Sequence, residues 1–249
     1  MEYPEIESHN ALDKPLREIG DRDRVDIIMT NPPFGGEEDR GILSNFPRGQ
    51  QTAETALLFL QLIMRRLRRP ERGGTPGRCG MVVPNGVLFG DGVCARIKKE
   101  LLEEFNLHTI VRLPNGVFEP YTSIPTKLLF FDRSGPTEEI WYYEQPLPEG
   151  RKQYTKKQPM RFEEFAECLA WWKKPEVNER AWKVPVTDVL KFDAQGNLLS
   201  ANLDLKNPNW KQDLEHLPPE QLVESILAKE QRIAALVADI RNVLAEGDT

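Results

Sequence analysis

The sequence predicts an α/β fold built around a mostly parallel sheet. Short apolar runs rich in β-branched and aromatic residues, bounded by Pro or Gly, are typical of buried strands. Segments with helical periodicity lie between several of these runs, and strands that alternate with helices form parallel sheets with crossover connections. A chain of 249 residues, 39% of them hydrophobic, is long enough for one large domain of this kind.

The alternation is clearest in the first half of the chain. Apolar residues repeat with helical spacing in the first predicted helix, for which Thr52 is the expected N-cap. The predicted elements, in chain order, are strand 25–30, helix 52–69, strand 79–83, helix 91–105 and strands 107–113, 125–132 and 139–144. A Gly-Pro turn without a helix joins the last two strands, so we expect them to form an antiparallel edge of the sheet.

After the last of these strands the pattern changes. We expect residues 1–146 to form the α/β domain and residues 147–217 to form a mixed extension, which is basic at its start and helical over 162–172. The rest of this extension has little periodicity. Residues 218–249 predict a final helix that begins near Pro219, because Pro suits the first helical position.

Composition and charge argue against several classes of protein. A net charge of −6 disfavours binding of nucleic acid by bulk positive charge, so such a site must be a local patch or lie beside a basic partner. Three scattered cysteines and three histidines predict neither a disulfide framework nor a structural zinc site. No signal peptide is recognisable, and no apolar run approaches the roughly 20 residues that cross a bilayer. We expect a cytoplasmic protein without a membrane partner.

Four residues directly after the first strand carry the strongest chemical signal. Asn31-Pro32-Pro33-Phe34 could be a strand-exit turn, since Asn and Pro are common turn residues. The prolines also remove two N–H donors and stiffen the backbone, so that the Asn31 side chain and nearby carbonyl groups form a fixed cluster of acceptors. Such a cluster suits an exocyclic amino group, and Phe34 offers a flat face on which a base can stack.

The motif and its surroundings resemble a known family. Asn-Pro-Pro-Phe after a strand is similar to the catalytic motif of S-adenosylmethionine-dependent DNA adenine N6-methyltransferases, whose sheet is Rossmann-like. Further segments resemble the modification (methyltransferase, M) subunit of type I restriction-modification systems. These segments are 31–36, 54–61, 83–90, 107–118 and 202–208. The resemblance covers roughly residues 10–210 and implies a site-specific, adenine-specific DNA methyltransferase.

The resemblance implies roles for individual residues. Asn31 through its side chain and Pro32 through its carbonyl would accept hydrogen bonds from the adenine amino group, which leaves the nitrogen lone pair free to attack the methyl group. Phe34 would stack on an adenine flipped out of the duplex, in a pocket that Pro33 also lines. Phe118 matches the position of a second aromatic in related enzymes, with a core Phe at a strand end as an equal alternative. No metal is expected, because the sulfonium already activates the methyl group.

The sequence departs from the family pattern on the cofactor side. Rossmann-like methyltransferases hold S-adenosylmethionine with a Gly-rich loop and an acidic residue that precede the Asn-Pro-Pro-Phe strand. Only 24 residues precede Val25, with Gly20 as their one glycine, whereas a βαβ unit needs about 30 residues. The later Gly90-Asp91-Gly92 is better explained as the entry to a helix.

We therefore expect the C-terminal half of such an enzyme, in a truncated or split form that is inactive alone. It would hold the adenine side of the pocket and no cofactor-binding residue of its own. Its missing N-terminal half would be a partner. Without that half, strand 25–30 would be an unpaired apolar edge, which is prone to association.

Two basic stretches are candidates for contact with DNA phosphates. Six arginines lie between Arg65 and Arg78, where the solvated end of a helix is the alternative explanation. The second stretch interleaves Tyr154 with basic side chains, which favours DNA contact there. Its expected contacts with the DNA backbone are Arg151, Lys152, Lys156 and Lys157.

The final helix predicts a helical partner. Apolar residues occupy the a and d positions of three heptads, and this 3.5-residue repeat favours a partner over packing on the chain's own domain. The repeat consists of Leu222, Ile226, Ile233, Leu236, Ile240 and Val243, with Lys229 as the exception. The resemblance implies that the partner is the specificity (S) subunit, with the restriction (R) subunit completing a type I complex on DNA.

Two other functions stay open at this point. The chain could be a non-catalytic fragment that docks on a specificity subunit, which the absent Gly-rich loop favours. It could also be related to protein-glutamine methyltransferases, which carry a similar tetrapeptide. That second alternative does not explain the segments at 83–90, 107–118 and 202–208.

Overall fold

The fold comes from a computed structural model of the chain. The residues it describes are 8–34, 36, 38–70, 74–209, 223, 227, 229–234 and 236–238. The chain divides into two compact units, Met1–Trp210 and Lys211–Thr249. None of the helices among the described residues is both long and apolar enough to cross a membrane.

The first unit is built on a six-stranded mixed sheet with the strand order β1-β2-β4-β3-β5-β6. Strands β1, β2, β3 and β5 run in one direction, whereas β4 and β6 run antiparallel to their neighbours. The strands are β1 (Ile27–Thr30), β2 (Arg78–Pro84), β3 (Asn106–Arg112), β4 (Thr126–Asp132), β5 (Glu139–Glu144) and β6 (Ala181–Pro185). A separate two-stranded sheet pairs β7 (Leu190–Phe192) with β8 (Leu198–Ala201).

Helices cover both faces of the large sheet. They are α1 (Arg40–Leu43), α2 (Thr55–Arg66), α3 (Gly86–Phe89), α4 (Val93–Glu104), α5 (Ala166–Lys173) and α6 (Val186–Val189). Successive strand residues point to opposite faces, so Ile110 and Leu129 enter the core beneath α2 and α4, whereas Val111 and Leu128 pack on the side of α5. The predicted α/β fold class is thus confirmed.

The expected antiparallel edge between the fourth and fifth strands is wrong. Strand β4 lies inside the sheet between β2 and β3, and β5 pairs in parallel with β3. The reason is the connection before β5, which passes over the start of β3 instead of reversing as a hairpin. Buried Thr137 holds it there: its hydroxyl donates to Phe105 O at 2.7 Å and accepts from Leu107 N at 2.8 Å.

The predicted extension over residues 147–217 contributes strand β6 to the main sheet. Strand β6 pairs antiparallel with β5, so the expected boundary at residue 146 does not separate two units. The Trp182 ring stacks on the Tyr142 ring with a centroid distance of 5.1 Å and an interplanar angle of 11°. This strand is short and alternates weakly, which explains why its periodicity gave no signal.

The first long helix is shorter than predicted at both ends. Helix α2 begins at Thr55 with Glu54 in the N-cap position, and the Thr52 hydroxyl instead accepts a hydrogen bond from Glu54 N at 3.2 Å. At the other end Leu67 is already extended and bridges Val25 in parallel. Helix α2 therefore ends at Arg66, and Leu67 pairs with Val25 just before β1.

The arginines near the end of α2 hold the N-terminal segment in place. Arg65 Nε donates to Leu16 O and Arg66 Nε to Asp23 O, both at 3.3 Å. These side chains are therefore occupied within the protein, which argues against the phosphate-contact hypothesis for this part of the cluster. Arg72 lies outside the described residues.

Strand β1 ends the sheet on one side, as the sequence predicts. Among the described strands it pairs only with β2. Its apolar side chains are poorly covered: Met29 is 84% exposed and Ile27 is 52% exposed. A strand of this kind presents both unpaired backbone groups and an apolar face to any partner that can pair with it.

The second unit contains the predicted final helix in part. Its described residues 223, 227, 229–234 and 236–238 are helical, and Ile233 and Leu236 of the heptad repeat are exposed. The other predicted positions of this helix lie outside the described residues, namely Pro219, Leu222, Ile226, Ile240 and Val243.

Candidate active site

The parallel strands bring polar and aromatic residues to one edge of the sheet. Asn31 directly follows β1, Asn85 directly follows β2, and the segment 113–118 directly follows β3. The carboxyl ends of parallel strands meet at the same edge, which is where open α/β sheets bind their ligands. The residues that the sequence analysis selected from separate segments therefore share one surface.

The Asn-Pro-Pro-Phe segment has the exposure expected of a ligand-binding turn. Pro32 is buried and anchors the segment, whereas Asn31 and Pro33 are exposed and Phe34 is half-buried. The Asn31 side chain forms no hydrogen bond with any other described residue, so its amide is available to a ligand. Neither proline carries an N–H, and the local backbone thus offers acceptors in preference to donors.

The two predicted aromatics of the site lie in contact. The ring centroids of Phe34 and Phe118 are 5.5 Å apart with an interplanar angle of 79°, an edge-to-face pair. Both rings are half-buried, and Phe118 also packs against the smaller core on the α5 side of the sheet. The structure therefore joins the two interpretations of Phe118, which contributes to a core and still borders the Asn31 turn.

A close backbone approach fixes the turn that carries Phe118. Gly116 has a φ of +77°, and a Cβ at this position would overlap the carbonyl oxygen of Tyr154. The Tyr154 amide donates to Asn115 O at 3.0 Å. Only glycine suits this position, because both the positive φ and the contact exclude a side chain. The basic stretch around Tyr154 is thereby packed against the aromatic site.

The basic stretch divides into structural and exposed residues. Tyr154 is fully buried and its hydroxyl donates to the Glu164 carboxylate, so its ring is not available to DNA. Arg151 is half-buried, 3.9 Å from Glu164 and 5.8 Å from the Tyr154 ring centroid. In contrast, Lys152, Lys156 and Lys157 are exposed beside the site.

A partly buried polar network lies at the same edge of the sheet. The Asp204 carboxylate accepts hydrogen bonds from Asn85 Nδ2 at 3.1 Å and from Arg112 Nη1 at 2.6 Å. Lys127 is buried nearby, and burial together with Arg112 lowers its pKa to about 8, while Asp204 and Glu144 favour its charged form. Two cations and two carboxylates thus share a confined space at the carboxyl edge of the sheet.

Backbone contacts attach residues 202–205 to this network. Leu203 N donates to Leu88 O at 2.7 Å, and the Tyr142 hydroxyl donates to Leu203 O at 3.1 Å. The segments at 83–90, 107–118 and 202–208, which carry the family resemblance, therefore meet at one place. Sequence reasoning did not select the network, although a charged residue inside each of two apolar strands, Arg112 and Lys127, was an available signal.

Comparison with known proteins gives a consistent result. The sequence model for the N-6 DNA methylase family matches residues 1–204.

The chain belongs to the N-6 DNA methylase family.

Two relatives extend this family assignment. The chain is 46% identical over 254 residues to the type I restriction enzyme EcoEI methylase subunit of Escherichia coli, and the match covers 99% of this chain and 48% of that protein. It is 33% identical over 130 residues to the EcoKI methylase subunit of Escherichia coli K12, which covers 49% of this chain and 23% of that protein. The chain spans about half the length, or less, of the curated relatives it matches.

A solved structure has a similar fold. A protein described as the modification subunit of a type I restriction enzyme from Vibrio vulnificus YJ016 superimposes with a TM-score of 0.82 and 62% identity. The match covers 86% of this chain and 44% of that one.

Two glycine-containing segments of the chain, at Gly20 and at Gly92, do not have the geometry of a Gly-rich cofactor loop. Residues before β1 form two short 3-10 helices, Leu16–Glu18 and Asp21–Asp23, and Gly20 between them has a φ of −100°, open to any residue. Gly92, with a φ of +61°, is the N-cap of α4, in agreement with the predicted helix entry. We therefore assign no cofactor contact to either segment.

Lys127 makes the stability of the folded chain depend on pH. Its pKa of about 8 lies below the ordinary value of 10.5, so the unfolded chain holds the proton more tightly between these values. The free energy of unfolding should therefore rise as the pH increases from 8 to 10.5, by up to about 3 kcal/mol from this group. Urea denaturation of wild type and Lys127→Met across this interval should show the rise only in wild type.

The exposed Lys173→Met provides the matched control and should keep the wild-type pH dependence. Parallel stability curves for wild type and Lys127→Met would show that Lys127 is protonated normally in the folded chain.

Proposed function

We propose that this chain supplies the adenine-binding side of a type I DNA adenine N6-methyltransferase, the modification subunit of a restriction-modification system. The observation that carries the proposal is the edge-to-face pair of Phe34 and Phe118 beside an Asn31 side chain with no hydrogen-bond partner among the described residues. Family membership and the similarity to type I methylase subunits support it.

The Asn31 turn acts on the amino group of adenine. The Asn31 Oδ1 atom and the Pro32 carbonyl each accept one N–H of this group, which orients the amino nitrogen and turns its lone pair away from the adenine ring. S-adenosylmethionine supplies the methyl group. Because Pro32 and Pro33 lack N–H groups, neither residue offers a backbone donor that would compete for that lone pair.

The aromatic pair holds the base. An adenine must leave the duplex before its amino group can enter such a turn, and its flat ring then stacks on the face of Phe34. Phe118 contacts Phe34 edge-on and limits rotation of the Phe34 ring. The exposed Lys152, Lys156 and Lys157 bind phosphates of the same DNA strand from the adjacent segment.

The cofactor is bound by a segment outside the described residues. The free edge of β1, with Met29 and Ile27 exposed, is the surface on which such a segment completes the sheet. In the complete enzyme, the partners of this chain are DNA, the specificity subunit, which binds the final helix, and the restriction subunit.

Substitutions in the Asn31 turn test the adenine site. In the complete modification complex, Asn31→Ala should lower methyl transfer by at least about 100-fold, the scale seen when one preorganised hydrogen-bonding group is lost. Phe34→Ala should lower it by roughly 5- to 100-fold through lost stacking. Transfer of tritiated methyl groups to duplex DNA measures both effects, and filter binding should show nearly unchanged affinity for the duplex.

Phe192→Ala, on the small β7-β8 sheet, removes an equally large ring away from the site and should leave methylation unchanged. If Asn31→Ala transfers methyl groups at the wild-type rate, the motif is only a strand-exit turn.

Calorimetry distinguishes a half-site from a complete enzyme. The isolated chain should show no saturable binding of S-adenosylmethionine at micromolar concentrations, because the described residues lack a suitable loop. The complete complex should bind it. Micromolar binding by the isolated chain would place the cofactor site within this sequence and contradict the half-site proposal.

The final helix is the proposed contact with the specificity subunit. Ile233 and Leu236 are 62% and 53% exposed, and burial of a large aliphatic side chain stabilises a complex by about 1.5–3 kcal/mol. Replacing both by Asp should abolish co-purification with a specificity subunit without lowering the melting temperature. Val177→Asp, an exposed apolar position in the first unit, is the control. Normal recovery of the double variant with the specificity subunit would rule out this contact.

A further inference from the structure

The loop between β3 and β4 carries an unusually exposed aromatic next to the proposed adenine pocket. Tyr121 is 92% exposed, more than any other large apolar or aromatic side chain among the described residues. Ile124 in the same loop is also exposed. The adenine-binding proposal uses neither residue, and Tyr121 is left almost uncovered by the residues that the structure describes.

Tyr121 is held rigidly with respect to Phe118. Its amide donates to Phe118 O at 2.9 Å, and the amide of Thr122 donates to the same oxygen at 3.1 Å. One step earlier in the turn, Glu119 N donates to Gly116 O at 3.1 Å. Phe118 is fixed in turn by its contact with Phe34. The backbone of Tyr121 is therefore held close to the residues that carry the proposed base-binding pair.

The charge around this turn favours DNA as the occupant. The turn packs against the basic segment through the Gly116–Tyr154 contact, and that segment exposes Lys152, Lys156 and Lys157. Lysines bind phosphates, and a flat ring stacks on bases of any sequence. An exposed ring and exposed lysines on adjacent segments together offer the two kinds of contact that a duplex accepts, stacking on bases and binding of phosphates.

We propose that Tyr121 inserts its ring into the duplex at the position that the flipped adenine vacates. Removing a base from the stack leaves the flanking bases and the unpaired thymine without a stacking partner. Side chains inserted at such steps recover part of the lost stacking. Tyr121 thus stabilises the flipped state from the duplex side, whereas Phe34 stabilises it from the pocket side. This inference rests on the proposed adenine site.

Two duplexes with the complete modification complex test the inference. In one, the target adenine pairs with thymine; in the other, it lies opposite an abasic site, so that little pairing energy opposes flipping. Tyr121→Ala should lower kcat/KM on the paired duplex by roughly ten-fold, the scale of one lost stacking contact, and clearly less on the abasic duplex. Phe34→Ala should be defective on both duplexes.

A binding measurement gives a second readout that does not need turnover. With 2-aminopurine at the target position, fluorescence rises when the base leaves the stack, and Tyr121→Ala should reduce this rise on the paired duplex. Tyr121→Phe keeps the ring and should retain both activities, and Phe192→Ala controls for loss of an exposed ring elsewhere. Because Tyr121 is almost fully exposed, its replacement should not change the melting temperature.

The outcomes separate the inference from the proposed function. A wild-type complex that neither methylates nor flips 2-aminopurine would refute the adenine site itself. A methylating wild-type complex with Tyr121→Ala equal to it on the paired duplex would refute the insertion alone. Equal losses on both duplexes, or loss of the specificity subunit from the Tyr121→Ala complex, would likewise overturn insertion in favour of a structural or protein-contact role.

Discussion

The carboxylate of Asp204 is the constraint on which the rest of the site depends. It accepts hydrogen bonds from the residue that follows β2 and from the last residue of β3, Asn85 and Arg112. Three segments that are far apart in the sequence are thereby joined at one edge of the sheet. The carboxylate also offsets the charges of Arg112 and Lys127, which would otherwise face each other with only Glu144 nearby. A buried cation that loses its partner costs several kcal/mol, so this edge depends on the carboxylate.

The position of β3 then determines the position of both aromatic rings. Arg112 ends β3, and the chain continues from it through the Gly116 turn to Phe118 and Tyr121. Gly116 allows Tyr154 to approach the turn, which brings the exposed lysines beside it. The contact between Gly116 and Tyr154 thus connects the end of β3 with the two surfaces proposed to bind DNA. These surfaces are the pocket for the base and the basic segment for the phosphates.

Local patterns in the sequence were sufficient for the elements and the central motif. Apolar runs bounded by Pro and Gly located the first five strands, and the donor-poor Asn31 turn was evident from its prolines. The place of β4 between β2 and β3 was not evident, because strand order depends on contacts such as those of Thr137 that leave no periodic signal. The burial of Tyr154 was not evident for a related reason, because alternation of basic and aromatic residues does not show which side chain is buried.

The proposed function requires an acidic chain to supply part of a DNA-binding surface. A net charge of −6 opposes binding to a polyanion over most of the surface, so the exposed lysines beside the Gly116 turn confine favourable contact to one face. The Asn31 turn follows directly from β1, so a segment that pairs with the open edge of β1 would lie next to the proposed acceptors of the adenine amino group. In the proposed enzyme, completion of the sheet would therefore also bring the reacting groups together.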